Sequence, residues 1–344
     1  VEFQVASPQN SEQGRVLVGS DALALQWNQV LMYPAGYRAR DITVQATLQL
    51  PAGWKYATAL RPDAQLSATN SDRITFVAEP LEQLVDSPVM ASRLLRQYDL
   101  APGSGVPVTM NLLAEGAGDV AVTDAQLDLH RRMVREAQAA LGPPRFDRYD
   151  FLVTLTEQLG SIGTEHHRSS ENTLPPTYFR SWDQRLDDRD QLAHEFVHSW
   201  NGKYRRGADL WTPNFNVPMQ DSLLWVYEGQ TQYWGNVLAA RSGMRPLPAS
   251  RDALALVAAT YADNRAGLQW RGIQDTTNDP IVVGRAARSY LNYQMSEDYY
   301  RGGQMIWLEA DALIRAKSGG RKSLDDFARA FFGVNDGEWK VQNT

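Results

Sequence analysis

Two histidines four residues apart, with a glutamate directly after the first, are the residues of this chain best suited to chemistry. They are His194, Glu195 and His198, in the run from Gln191 to Trp200. On an α-helix, residues i and i+4 lie one above the other on the same face, so both imidazoles can bind one ion. Glu195 then points beside the ion and stays available as a base. The pattern predicts a zinc site of the hydrolytic kind.

A catalytic site of this kind needs a third protein ligand and an open position for water. Glu228 is the candidate, because it lies on the next long predicted helix and directly follows a run of large apolar residues. A carboxylate among apolar groups needs a counter-ion or a metal to offset the loss of its hydration. Asp221, in a predicted loop, is the rival ligand. With zinc bound, Glu195 would take a proton from the attacking water and deliver it to the leaving amine.

Composition limits the classes of protein to which the chain can belong. The 344 residues suggest two domains, and the shares of hydrophobic (43%) and charged (22%) residues are ordinary for a globular protein. No uninterrupted apolar run approaches the roughly 18 residues that span a bilayer, so no membrane span is expected. A net charge of -6 without a basic stripe argues against nucleic acid as a partner. Because cysteine is absent, histidine and carboxylates are the available metal ligands.

The hydrophobic pattern divides the chain into two parts and predicts an α+β fold. Short, partly alternating apolar segments separated by Gly, Pro and Asn predict a β-rich, sandwich-like domain at residues 1–122. An amphipathic helix follows at residues 125–141 and stops at Gly142. After a strand at residues 149–156, most of the second domain, residues 123–344, is predicted to be helical.

Three predicted helices bear on the candidate site. One covers residues 187–203 and carries the two histidines, and another covers residues 223–242 and carries Glu228. A third runs from about residue 303 to residue 317. The last helix of the chain opens at Ser323 with acidic residues behind it, which is a pattern typical of a capping box.

Similarity to known proteins extends beyond the paired histidines. Four segments, in this order, resemble the glycyl aminopeptidase family of gluzincin zinc metallopeptidases: residues 163–166, 194–201, 224–229 and 299–303. Further likeness at residues 50–55 and 311–315 extends the resemblance over most of the chain. The resemblance implies a thermolysin-like catalytic domain behind a β-rich N-terminal domain. Family members often carry a C-terminal peptide-binding PDZ domain, and we expect none within this chain.

The resemblance assigns roles to the residues that the spacing also selects. It implies one Zn2+ per chain, held by His194, His198 and Glu228. It makes Glu195 the general base. Two independent arguments therefore lead to the same four residues.

Tyr300 is the candidate for stabilising the transition state. It looks like the tyrosine of the Tyr-Glu-Lys-Gly element in related enzymes, whose hydroxyl donates to the tetrahedral oxyanion. The chain departs from that element, because Arg301 and Gly302 stand where Glu and Lys are usual. Tyr299 is therefore an alternative for the same role.

Glu165 is the candidate for substrate binding. Its Gly-x-Glu context is similar to the Gly-x-Met-Glu-Asn element of aminopeptidase N relatives, in which the carboxylate holds the free α-amino group of the substrate. The resemblance implies that Glu165 restricts cleavage to the N-terminal bond, and the alternative is a solvated loop glutamate. His166 and His167 follow it, but adjacent residues on a strand point to opposite faces, which disfavours one metal bound by both.

Together these features predict a zinc-dependent aminopeptidase that acts on peptides with a free N-terminus. The resemblance alone implies a preference for N-terminal Gly or Ala. The alternatives are a zinc endopeptidase and a non-catalytic peptide-binding module with a structural metal. Glu195 argues against the binding module, because it is suited to proton transfer and not to ligation. The resemblance implies a periplasmic or secreted location, with the cytoplasm as the alternative, and the oligomeric state is not predicted.

Overall fold

The structure, a computed structural model, describes residues 1–6, 17–67, 72–114, 116–159, 163–280, 297–334 and 342–343. Within these ranges the α-helices are α1 (Leu81–Val85), α2 (Asp124–Leu141), α3 (Gln191–Val197), α4 (Leu224–Ser242), α5 (Leu247–Asp263), α6 (Asp298–Ser318) and α7 (Leu324–Phe332). The strands are β1 (Leu17–Val18), β2 (Ala22–Leu25), β3 (Thr43–Val44), β4 (Thr47–Gln49), β5 (Lys55–Ala57), β6 (Arg73–Thr75), β7 (Glu79–Pro80), β8 (Val89–Ser92), β9 (Arg96–Asp99), β10 (Val108–Ala114), β11 (Tyr149–Leu155), β12 (Gly163–Glu165), β13 (Ser169–Leu174), β14 (Arg205–Arg206) and β15 (Gln342–Asn343). The β-rich N-terminal part and the helical C-terminal part confirm the predicted α+β fold.

The chain forms two compact units. The first comprises Val1–Asp128, Phe146–Asp188 and Pro213–Val217, and the second comprises Leu129–Arg145, Arg189–Thr212 and Pro218–Thr344. This division differs from the predicted boundary between residues 122 and 123. The reason is strand pairing: β11 pairs with β10, and β13 pairs with β11. The segment that contains β11 and β13 therefore belongs with the N-terminal residues.

A five-stranded mixed sheet organises the first unit. Its strand order is β12-β13-β11-β10-β9, in which β10, β11 and β13 are parallel and the two outer strands run antiparallel to their neighbours. The register sets Val108 opposite Tyr149, and Asp150 opposite Ser169. Every residue of β11 is buried, as expected for a central parallel strand covered on both faces. Glu165 is the last residue of the outer strand β12.

A second sheet of the first unit has the order β1-β2-β8-β5, with antiparallel neighbours throughout. The pairs β3–β7 and β4–β6 form two small separate sheets. The apolar core of this part of the unit includes the buried side chains of Trp27, Leu60, Phe76, Leu81 and Ala91. Burial of these groups is the main term that stabilises such a domain.

The second unit is helical, and its core is rich in aromatic side chains. The side chains of Phe196, Trp200, Tyr204, Trp234 and Phe332 are fully buried. α4 is the central helix, because it packs against both α3 and α6. Among the residues that the structure describes, no helix is at once long enough and apolar enough to span a bilayer.

α3 is shorter than the helix predicted at residues 187–203. A 3-10 turn at Asp187–Asp190 precedes it, and it ends at Val197, with His198 as a C-cap that keeps helical angles (φ -59°, ψ -22°). The chain turns away beyond this point, where Gly202 adopts a φ of 130° that L side chains rarely adopt. The i, i+4 relation between the two histidines is preserved, because His198 still has the helical conformation.

α6 begins at Asp298, earlier than the predicted start near Gly303. The prediction began the helix at about Gly303, and glycine is unfavourable in helix interiors. The structure keeps Gly303 inside the helix, where it packs directly on the backbone of α4. As a result, Tyr299 and Tyr300 lie in the first turn of α6.

α7 begins with the capping box that the sequence predicts. The Ser323 hydroxyl accepts a hydrogen bond from the Asp325 backbone N–H at 3.3 Å. The Asp326 carboxylate accepts one from the Ser323 backbone N–H at 2.9 Å. These bonds satisfy backbone donors that a helix start otherwise leaves unpaired.

Candidate metal centre

Three side chains of the second unit place their ligand atoms at the corners of a triangle. The Nε2 atoms of His194 and His198 lie 3.2 Å apart, and each lies 3.3 Å from Oε2 of Glu228. In a tetrahedral zinc site with bonds of about 2.0–2.1 Å, neighbouring ligand atoms lie roughly 3.3–3.4 Å apart. The triangle therefore has the dimensions of one face of such a site.

The chemistry of these atoms also fits a cation. The side chains are 8%, 1% and 7% exposed for His194, His198 and Glu228. Among the residues that the structure describes, Glu228 Oε2 is buried and accepts no hydrogen bond. Three buried acceptor atoms at this distance repel one another unless a proton or a metal ion lies between them. Two imidazoles and one carboxylate form a ligand set typical of catalytic zinc.

The same surroundings keep Glu228 ionised. Burial alone raises the pKa of its carboxyl group, but the adjacent imidazoles of His198 and His194 outweigh that effect. The pKa is lowered from 4.5 to about 2. At neutral pH, Glu228 is therefore a carboxylate, the form in which it can bind a metal.

Asp221, the rival third ligand, is not in the triangle. Within the described parts of the chain, the buried group that could hold an ion through both His194 and His198 contains Glu228 and not Asp221. Burial raises the pKa of Asp221, which disfavours its charged form. The long helix α4 supplies the carboxylate, and the loop before it does not.

A layer of hydrogen bonds behind His198 fixes its ring. His198 Nδ1 lies 3.0 Å from the backbone carbonyl oxygen of Asn201, to which an Nδ1–H can donate. The Asn201 side-chain amide donates to the carbonyls of Val226 and Tyr227 and to the Thr231 hydroxyl, at 3.1, 3.0 and 3.0 Å. A donor role for Nδ1 leaves the Nε2 lone pair for a metal.

Sequence reasoning did not single out Asn201 or Thr231. For Thr231 a signal existed, because it lies three residues after Glu228 on one helix face, and it is fully buried despite its hydroxyl. Asn201 gave no local signal, since its role depends on the approach of α4 to the loop after α3.

Glycine allows α4 to lie close to the histidines. A Cβ at Gly235 would lie 3.2 Å from the His194 Cβ and 3.3 Å from its Cα. The distance is shorter than most Cβ contacts, so any larger residue would press on the helix that carries His194. Gly235 therefore helps to set the separation of α3 and α4, and with it the triangle.

Glu195 lies beside the triangle. It directly follows His194 on α3 and is 5% exposed. One of its carboxylate oxygens lies within 4.8 Å of a ring nitrogen of His198. A carboxylate in this position would be close to any water that an ion in the triangle held.

Tyr300 also lies beside the histidines. Its ring centroid is 5.8 Å from that of His194, with an angle of 31° between the planes, and the residue is half-buried. The ring of Tyr299 lies 5.0 Å from that of Tyr300, and Tyr299 is 4% exposed. The direct ring contact with a candidate ligand favours Tyr300 over Tyr299 as the residue that faces the site.

Glu165 belongs to the first unit, where it is half-buried and pairs with Ser170 across β12 and β13. The next residue, His166, lies between two carboxylates, with Nδ1 3.2 Å from Asp86 and Nε2 3.1 Å from Glu171. Burial alone would lower its pKa, but the two carboxylates raise the pKa from 6.5 to about 9. His166 is therefore a buried cation at neutral pH. The role of the preceding residue, Glu165, in substrate binding stays a prediction.

Comparison with known proteins gives a family match. A model described as M61 glycyl aminopeptidase matches residues 187–306, which include the three candidate ligands, Glu195 and Tyr300. A model described as the Peptidase M61 N-terminal domain matches residues 1–93. The two models together cover more than half of the chain. No curated protein matches the chain by sequence.

Three solved structures share the fold. An aminopeptidase N family protein from Idiomarina loihiensis matches with a TM-score of 0.74 and 19% identity over 92% of this chain and 53% of that chain. Yeast LTA4 hydrolase in complex with bestatin matches with a TM-score of 0.57 and 15% identity, over 97% of this chain and 47% of that chain. An M1 zinc metallopeptidase from Deinococcus radiodurans matches with a TM-score of 0.55 and 17% identity, over 96% of this chain and 65% of that chain. This chain thus spans about half the length of the first two, and the likeness concerns the fold.

Proposed function

Because this chain belongs to the M61 glycyl aminopeptidase family, we propose that it is a zinc-dependent aminopeptidase that hydrolyses the N-terminal bond of peptides. One observation carries the proposal: the triangle formed by His194, His198 and Glu228, whose sides of 3.2 and 3.3 Å suit zinc. These three residues would hold one zinc ion per chain. When bound, zinc acidifies a coordinated water and polarises a carbonyl oxygen.

Glu195 is the general base in this proposal. Its carboxylate accepts a proton from the attacking water and then passes that proton to the leaving amine nitrogen. Its position next to His194 on α3 supports the role, because the base and the ligands then share one short helix. Its burial, at 5% exposure, supports the role as well, since a buried side chain keeps a fixed position beside the ligands.

Tyr300 is the proposed donor to the oxyanion. Attack on the peptide carbonyl leaves a negative charge on its oxygen, and a phenol hydroxyl can donate a hydrogen bond to that charge. The contact between the Tyr300 and His194 rings supports this assignment, since it holds the phenol beside the ligands.

Glu165 is the proposed anchor for the substrate's N-terminus. Its carboxylate would bind the protonated α-amino group, so that only the first peptide bond reaches the base. The Gly163-Thr164-Glu165 segment, with its resemblance to aminopeptidase N relatives, supports this role. The preference for N-terminal Gly or Ala follows from the family and is part of the proposal.

The test combines metal analysis with two substrates that differ in one group. We expect one zinc per chain and hydrolysis of a glycyl anilide, but no hydrolysis of the N-acetyl-glycyl anilide. Comparison of glycyl, alanyl and leucyl anilides tests the side-chain preference. Cleavage of the acetylated substrate would favour an endopeptidase, and zinc without any hydrolysis would favour a peptide-binding module.

A further inference from the structure

A buried aspartate holds the first turn of α6, the turn that carries Tyr300. Asp298 is the first residue of α6 and is 6% exposed. Its Oδ1 accepts hydrogen bonds from the Tyr261 hydroxyl at 2.7 Å and from Arg265 Nε at 3.1 Å. Tyr261 lies on α5, so its hydrogen bond ties α5 to the start of α6.

We propose that Tyr261 is a positioning residue for Tyr300: by holding Asp298, it sets the first turn of α6 so that the Tyr300 hydroxyl meets the oxyanion. The inference rests on the proposed function, in which Tyr300 donates to that charge. Tyr261 acts through the backbone of α6 and not by contact with substrate or metal.

Packing around Gly302 supports the connection. A Cβ at Gly302 would lie 3.4 Å from two ring atoms of Tyr261 and 2.6 Å from Cδ1 of Ile273. Ile273 therefore occupies the space that a side chain at Gly302 would need, and the ring of Tyr261 lies in ordinary contact distance of the same position. Gly302 is also a position at which the chain departs from the Tyr-Glu-Lys-Gly element. Tyr261 thus lies against the first turn of α6 at Gly302 as well as at Asp298, on either side of Tyr300 in the sequence.

The charges around Asp298 make Tyr261 a permanent donor. Burial and the neighbouring Asp298 charge raise the pKa of the Tyr261 hydroxyl well above its ordinary value, so the proton stays on the oxygen. The negative charge of Asp298 at the N-terminus of α6 is favourable, because the helix dipole is positive there. Arg265 compensates that charge independently of Tyr261. Removing the Tyr261 hydroxyl therefore leaves no unpaired buried charge, and the variant should fold.

A second tyrosine of the same unit offers a matched control. Tyr233 on α4 is 4% exposed and forms a hydrogen bond with Asp311 of α6. This bond resembles the one between Tyr261 and Asp298. Asp311 lies about 20 Å along the helix from Asp298, at a rise of about 1.5 Å per residue. Tyr233→Phe thus also removes a tyrosine hydroxyl that hydrogen-bonds an aspartate of α6, but the aspartate lies far from the first turn of that helix.

The experiment is a double-mutant cycle on the zinc-loaded protein, with a glycyl anilide as the substrate. We expect Tyr300→Phe to lower kcat about 100-fold, as loss of an oxyanion donor does, and Tyr261→Phe to lower it about tenfold through misplacement. KM should stay within about twofold, because ground-state binding is not involved. The double variant should match Tyr300→Phe within about twofold, since Tyr261 acts only through Tyr300. Tyr233→Phe should keep the wild-type kcat.

Each outcome decides the inference. Full kcat in Tyr261→Phe, or a double variant about tenfold below Tyr300→Phe, would overturn it, because the two residues would then act separately. A Tyr233→Phe variant with the same loss as Tyr261→Phe would also overturn it, in favour of general helix stability. If Tyr300→Phe kept full kcat, the oxyanion role and this inference would fall together.

A crystal structure of Tyr261→Phe gives a readout that does not depend on turnover. We expect the Tyr300 ring to move from its place 5.8 Å from the His194 ring. An unmoved ring would overturn the inference. An inactive wild-type protein with zinc bound would count against the proposed function, and the ring position in the variant would then decide the positioning role alone.

Discussion

Gly229 on α4 and Gly303 on α6 meet backbone to backbone: a Cβ at Gly229 would lie 2.7 Å from the Cα of Gly303 and 2.8 Å from the carbonyl oxygen of Tyr299. The contact lies one residue after Glu228 and three residues after Tyr300. It therefore sets the distance between a candidate metal ligand and the proposed oxyanion donor. A side chain at either glycine would force the two helices apart, because helix backbones yield little when packed.

We expect Gly229→Ala to lower the free energy of unfolding by about 1–3 kcal/mol, the usual cost of overpacking. It should also lower kcat, since the site would be distorted. Denaturant unfolding measures the free energy of unfolding, and steady-state kinetics measure kcat. Gly105→Ala is the control, because its Cβ would meet nothing within 4 Å. Equal stability of the two variants would contradict the close contact.

Glu228→Gln should weaken zinc binding by more than the roughly 10–100-fold typical of residues behind the ligands. The amide keeps the shape but loses the charge. Asp221→Asn is the matched control and should bind zinc as the wild type does. Competition with a chelator measures both affinities. If Asp221→Asn lost more zinc affinity than Glu228→Gln, Asp221 and not Glu228 would be the third ligand.

Glu195→Gln should keep the full zinc content and lose activity. The amide cannot accept a proton, and general bases typically contribute about 10²–10⁴-fold to the rate. Metal analysis and kcat on a glycyl anilide are the measurements. An unchanged kcat with zinc bound would remove Glu195 from the mechanism.

Glu165→Gln should lower kcat/KM for substrates with a free N-terminus by at least about 30-fold, because a charge pair with the amino group is lost. Glu157→Gln changes an exposed glutamate of the same unit and should have no effect. A wild-type protein that cleaves blocked peptides, and keeps doing so in Glu165→Gln, would identify an endopeptidase.

His166 should stabilise the protein in a pH-dependent way. Its pKa is raised from 6.5 to about 9 in the folded chain, so its contribution is fully present below pH 6.5 and is lost as the pH rises through about 9. The stability advantage of the wild type over His166→Gln should shrink by a few kcal/mol, on the order of 3, between about pH 6 and pH 9.5. Denaturant unfolding at the two pH values measures it. An advantage that grows with pH would contradict the sign.

Local features of the candidate site could be predicted from the sequence. His194 and His198 lie on the same face because helix geometry places residues four apart one above the other. This relation can be predicted without knowledge of the rest of the fold. Glu228 required one further argument, the cost of a carboxylate among apolar neighbours. The β-rich and helical parts followed from their different hydrophobic periods.

Features that depend on distant contacts could not be predicted. The hydrogen bonds of Asn201 to α4 and of Tyr261 to Asp298 join residues far apart in the sequence. The structure begins α6 five residues before the predicted start at about Gly303, because two glycines in its first turns weaken the local helix pattern and only the contact of Gly303 with α4 accounts for them. The extent of the first unit depends on a parallel pairing between β10 and β11, which no local pattern encodes.

The helix that presents both imidazoles is only seven residues long. Isolated helices of fewer than about 12–15 residues are marginal in water, so α3 depends on its neighbours for its shape. The ion-binding geometry is thus a property of the assembled unit, and the unfolded chain lacks it. A cation captured there would shift the folding equilibrium towards the native state by mass action, so the ion and the scaffold around it would stabilise each other.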